Sequence, residues 1–95
     1  MCTYQTETVP IDGSGKGARG WFRLRRAAVY VDHPVHAGYA HTVNIDFADP
    51  DQGPSARVAV ELTEEAARAL IGAIERSLAA APPGLASANQ SAAHP

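Results

Sequence analysis

Apolar and polar residues alternate cleanly in two short stretches of this chain. In His41-Thr42-Val43-Asn44-Ile45-Asp46-Phe47, His41, Val43, Ile45 and Phe47 share one parity, and Thr42, Asn44 and Asp46 share the other. In Arg57 to Leu62, Val58, Val60 and Leu62 alternate with Arg57, Ala59 and Glu61. A period of two marks a strand with one face toward a core. The intervening Asp49-Pro50-Asp51-Gln52-Gly53-Pro54 is turn-forming in composition, so the two strands are predicted to pair as a hairpin.

Upstream, Trp21 to Asp32 also reads as a strand, but Phe22 and Leu24 have one parity and Val29 and Val31 the other, so a bulge is expected near Arg25 to Ala28. Thr3 to Ile11 is β-prone, and Pro10 restricts it to an edge strand or a strand end. Asp12 to Gly20 carries Gly13, Gly15, Gly17 and Gly20 and is expected to be a flexible loop or a wide hairpin connection. After Leu62 the period changes. Ala67, Leu70, Ile71, Ile74 and Leu78 recur at helical spacing, Thr63 is a good N-cap, and Glu64 and Glu65 put negative charge in the first turn. Pro82-Pro83-Gly84 ends that helix.

The expected fold class is α+β: an antiparallel sheet of three to four strands followed by one C-terminal amphipathic helix packed on one face. Residues 1–81 are expected to form a single domain, and residues 82–95 a disordered Pro/Ala/Ser-rich tail.

Composition narrows the picture. Of 95 residues, roughly 80 remain to build a core, which is thin. A metal or a partner subunit commonly supplements a core of that size, so a homo-oligomer is expected. Eight Lys and Arg against ten Asp and Glu give a net charge of −2, which offers no attraction for a polyanion, and no nucleic-acid partner is expected. Arg19, Arg23, Arg25 and Arg26 bunch together, as a solvated face or an anion contact. The single cysteine, Cys2, excludes an intramolecular disulfide. With no leader or long apolar run, the expected compartment is the cytoplasm, without a membrane partner.

Candidate chemistry lies in Asp32-His33-Pro34-Val35-His36-Ala37-Gly38-Tyr39-Ala40-His41, which holds three of the four histidines. His33 shares parity with Val29 and Val31, His41 with Val43 and Ile45, and Glu7 with Val9 and Ile11. If their strands are neighbours, these three side chains converge at one end of the sheet, with His36 close by in the connection. Imidazoles and a carboxylate at the edge of a core are costly to desolvate, and coordinating a cation offsets that cost. His33, His36 and His41, completed by Glu7 or Cys2, suit Zn²⁺ and also Fe²⁺, Ni²⁺ or Cu²⁺. Asp32 and Asp46 are candidates to orient the imidazoles. Glu7, Cys2 and Tyr39 are the candidate catalytic groups, as base, nucleophile and hydroxyl donor. The plain alternative makes His33 and His36 ordinary loop residues and His41 the start of a strand. Asp12-Gly13-Ser14-Gly15-Lys16-Gly17 lacks the spacing, the following Ser or Thr and the helix that a phosphate-binding loop requires, although a mobile loop there can still close over an anionic ligand.

Met1-Cys2-Thr3-Tyr4, the Gly13-Ser14-Gly15-Lys16-Gly17 loop with Gly20-Trp21-Phe22, and the His33-Pro34-Val35-His36 motif with His41 to Phe47 together resemble a family of short, mostly uncharacterised actinobacterial proteins, over about residues 1–84. The resemblance implies a bacterial, intracellular setting beside specialised metabolism and carries over no catalytic residue. Two functions are therefore expected as alternatives. One is a small metal-binding protein, acting as a lyase, isomerase or hydrolase on a small-molecule metabolite. The other is a non-enzymatic oligomerising or partner-binding protein with incidental histidines.

Overall fold

Residues 5–85 are described by the structure, a computed structural model. Cys2, the opening of the first predicted strand and the tail beyond Leu85 lie outside the described residues. The elements are β1 (Glu7–Gly17), β2 (Gly20–Asp32), β3 (Thr42–Ala48), β4 (Arg57–Leu62) and α1 (Glu64–Ala80), with a single 3₁₀ turn at Pro50–Gln52. The four strands form one antiparallel sheet in the order β1-β2-β3-β4, so each pairs with its neighbours in sequence. This is the α+β class that the two periodicities predict.

The glycine-rich segment differs from its expectation. Asp12 to Gly17 is strand, not loop, and only Ala18 and Arg19 connect the paired Gly17 and Gly20. Glycine allows this because the hairpin is tightly packed: a Cβ at Gly15 would stand 3.0 Å from a Leu24 methyl carbon, and one at Gly17 3.1 Å from the Phe22 ring. At Gly20 the backbone itself requires glycine, with φ at +110°.

The irregularity expected in β2 lies across from it. Between Pro10 and Gly13 β1 advances three residues where β2 advances two, from Arg26 to Leu24. The extra residue sits on the edge strand, where Pro10 already lacks a ladder donor and no second neighbour is disturbed. β2 keeps one parity throughout, so Phe22 and Leu24 stay on the Arg26, Ala28 and Tyr30 side.

Register sorts the sheet into two faces. Val29, Ile45 and Val60 lie in one row, flanked by rows containing Val31, Val43 and Leu62 and containing Ala27, Phe47 and Val58. The other face carries Tyr30, Asn44 and Glu61 in one row, Ala28, Asp46 and Ala59 in the next, then Arg26, Ala48 and Arg57. Asp49 closes the β3–β4 connection: its carboxylate accepts the Asp51 N–H at 3.0 Å and the Gln52 side-chain amide at 2.6 Å. Those bonds, with the Gln52 amide foremost, hold its pKa below the ordinary aspartate value.

The chain divides into two units, the sheet up to Glu64 and a second from Glu65. None of the α1 residues is buried, and of the predicted stripe Leu70, Ile71, Ile74 and Leu78 are exposed, whereas Ala67 is partly buried.

Candidate functional site

The connection between β2 and β3 carries the histidines. Asp32 and Thr42 form the last β2–β3 pair, so His33 and His41 are the next residues outward on the two strands. Their rings stack with centroids 4.6 Å apart and planes inclined by 28°. The parity argument thus brings these two together. His33 Nδ1 donates to the carbonyl oxygen of Ala40 at 2.8 Å. A carbonyl only accepts, so His33 Nδ1 carries a proton.

The remaining candidates are elsewhere. His36 is drawn toward β4, its backbone N–H bonded to Glu61 Oε1 at 3.0 Å. Glu7 pairs with Val29, four residues before His33, and at a strand rise of about 3.3 Å per residue it stands roughly 13 Å short of the histidine pair. Its carboxylate accepts a hydrogen bond from the Gln5 amide instead. The condition for convergence was adjacency, and β2 separates β1 from β3. Tyr39 is exposed in the connection, and Cys2 lies outside the described residues. Among the described residues no group of three or more His, Cys, Asp and Glu is arranged to hold a metal ion.

A different constellation occupies the polar face. The Glu61 carboxylate accepts three successive backbone N–H groups, from Val35 at 2.5 Å and from His36 and Ala37 at 3.0 Å each. Those donors, Val35 foremost, pull the Glu61 pKa below the ordinary glutamate value. The anchored connection forms one wall of a cleft of about 720 Å³ whose floor includes Tyr30, Asn44, Asp46 and Ala59. On that floor Asp46 accepts from Arg57 Nη2 at 2.7 Å through Oδ1 and from the Tyr30 hydroxyl at 3.1 Å through Oδ2. Burial, then the bond to Asp46, raises the Tyr30 pKa, whereas the same carboxylate raises that of Arg57. Asn44 accepts the Thr42 hydroxyl at 2.6 Å, and both residues are buried.

Asp32 and Asp46, expected to orient imidazoles, have other partners. Asp32 accepts the His33 backbone N–H at 2.7 Å, and Asp46 belongs to the tyrosine–arginine network. Sequence reasoning missed Tyr30, Arg57 and Glu61. The signal was present in the even-parity positions of β2 and β3 and the matching positions of β4, but it becomes a site only once register sets Asn44 opposite both Tyr30 and Glu61.

A family model described as a family of unknown function (DUF6295) matches residues 1–87. No curated protein and no solved structure matches the chain.

Proposed function

The chain belongs to that family of unknown function, and since membership brings no activity with it, we propose from the structure's own surfaces that it is a non-enzymatic protein that works as an assembly of its own copies. One observation carries this reading. Among the described residues the buried apolar side chains are Ala27 and Ala56, and no large side chain is fully buried. Folding must offset roughly 1–2 kcal/mol of backbone entropy per residue, mostly by burying apolar area. Val29, Val43, Ile45, Phe47, Val58, Val60 and Leu62 are only partly buried, so the apolar face keeps area that a partner surface can still remove from water.

The apolar sheet face also exceeds what one helix covers. Four strands at about 4.8 Å spacing span roughly 19 Å, whereas a helix with its side chains is about 10 Å across and covers about two strands. Leu70, Ile71, Ile74 and Leu78 on α1 are complementary in kind to Val31, Val43, Ile45 and Val60, so a second copy of the chain offers the missing cover. A bacterial, cytoplasmic setting, as the sequence resemblance implies, belongs to the same proposal. No helix of the described residues is long and apolar enough to cross a membrane.

Sedimentation at micromolar concentration tests it, comparing the wild type with Ile74→Lys, a change at an exposed position. The expected mass is two or more chains for the wild type and one for the variant, with helical circular dichroism retained. A wild type that sediments as one chain and unfolds cooperatively sinks the proposal.

A second reading, binding of a divalent transition metal such as Zn²⁺, is favoured by the stacked pair alone. A metal-ligating histidine usually donates its other ring N–H to a carbonyl or carboxylate, as His33 does to Ala40. In this reading His33 and His41 are ligands, His36, Glu7 or Cys2 complete the shell after a rearrangement, and an open position on the metal serves a small metabolite, with Tyr39 at hand. Elemental analysis of untagged protein and its His33→Ala, His36→Ala and His41→Ala variants decides it. About one metal per chain, lost in the variants, supports the reading; a metal-free wild type removes it.

A further inference from the structure

The polar face of a small antiparallel sheet ordinarily lies open to water. Here the stretch from Val35 to Ala37 is held across it, because one carboxylate, that of Glu61, takes three consecutive N–H groups. The fastening turns a connection into a wall. Beneath it, the residues paired with Asp46 on its two neighbouring strands are Ala28 and Ala59, whose methyl groups leave space around the carboxylate. The resulting cleft of about 720 Å³ falls within the roughly 300–1,000 Å³ typical of small-molecule sites.

Its chemistry selects a class of ligand. Asp32, Asp46 and Glu61 line it with a single guanidinium, that of Arg57, so its carboxylates outnumber its guanidinium three to one and the field they set is negative. Arg57 is already bonded to Asp46, and the N–H groups of the wall are taken by Glu61, so an anion finds few donors. A cation finds acceptors. Each Asp46 oxygen accepts one bond, and an ionised carboxylate has about four lone-pair sites, so capacity remains beside the half-buried Tyr30 ring.

We infer that this cleft binds a small organic cation, an amine or guanidine of a few carbons, with its charged head at Asp46 beside Tyr30 and its chain along Ala59. The inference is independent of whether the chain assembles, because every residue it uses lies on the sheet and its β2–β3 connection.

The test is an amide chemical-shift titration of the full chain with agmatine, with glutarate as an anion of similar length. Agmatine is expected to shift the amides of Asn44, Asp46 and Glu61 saturably, with a Kd of about 1 mM or tighter. Glutarate is expected to leave them in place. Ala59→Tyr, at an exposed position, fills the cleft and abolishes the response without altering the rest of the spectrum. Asp46→Asn weakens binding at least tenfold while keeping a side chain that accepts from Tyr30. Equal responses to agmatine and glutarate, no saturation by about 10 mM, or binding untouched by Ala59→Tyr would each overturn the inference.

Discussion

On one face of the sheet, Thr42 and Asn44 are more deeply buried than any valine or isoleucine on the other. The polar face has a roof that the chain supplies locally, since the β2–β3 connection folds back and is fastened by Glu61. The apolar face has no such local cover in its own unit, and Val31 and Val9 remain exposed. Local hydrogen bonds thus shelter polar residues, whereas an apolar face must find a partner surface. The comparison teaches that hydrophobicity sets the demand for burial and topology decides which demand is met within one unit.

The largest expected effect breaks the apolar side. Ile45→Asp puts a carboxylate on the central strand β3 between Val29 and Val60, neither of which offers a side-chain donor. A loss of about 3 kcal/mol is expected, together with dissociation, read by denaturant unfolding and sedimentation. An uncharged polar change on the other face, Ala59→Ser, is expected to leave stability nearly unaltered, and equal losses at the two positions would erase the distinction between the faces.

Glu61→Gln acts next, on the roof alone. It keeps the shape and removes the charge that three N–H groups share, so hydrogen exchange at Val35, His36 and Ala37 should accelerate while β2 and β3 stay protected. The same segment reports on pH. The folded-state pKa of Glu61 lies below that of the unfolded chain, so its contribution is complete above the ordinary carboxylate value of about 4.3 and is lost as pH falls through the depressed one. Protection of the three amides is therefore expected to disappear in acid, and Glu61→Gln should remove that acid dependence.

Tyr30→Phe sharpens the floor. It deletes the hydroxyl bond to Asp46 and should cost about 1 kcal/mol, less to the extent that water replaces it. Tyr30 titrates above its ordinary value in the folded chain, so its contribution is present below the unfolded pKa of about 10 and vanishes as pH rises through the folded one. Alkaline unfolding of the wild type should be steeper than that of the variant.

The smallest effects test the hairpin apart from either face. At Gly13 a Cβ would meet nothing within 4 Å and no positive φ is present, so Gly13→Ala should stabilise by about 0.5 kcal/mol by restricting the unfolded chain. Gly20→Ala should destabilise by about 1 kcal/mol, because its φ of +110° strains any residue with a Cβ. Thermal melts of the two variants, moving in opposite directions, separate turn geometry from packing.

The amino-acid sequence by itself determined the strands from Trp21 onward, the turn after Asp49, the helix after Thr63 and the pairing of His33 with His41. Each follows from periodicity, turn chemistry or parity over a few residues, and such signals survive in the linear chain. Tertiary structure alone decided that the glycine-rich segment is a strand, because its fitness depends on Leu24 and Phe22 packing against absent side chains across the hairpin. It decided that Glu7 stands apart from the histidines, because strand order is a contest among long-range pairings that parity does not rank. It also decided the cleft. Tyr30, Arg57 and Glu61 look like ordinary solvated positions in sequence, and they line one cleft with Asp46 only when register aligns β2, β3 and β4 and the Glu61 carboxylate captures the backbone between β2 and β3.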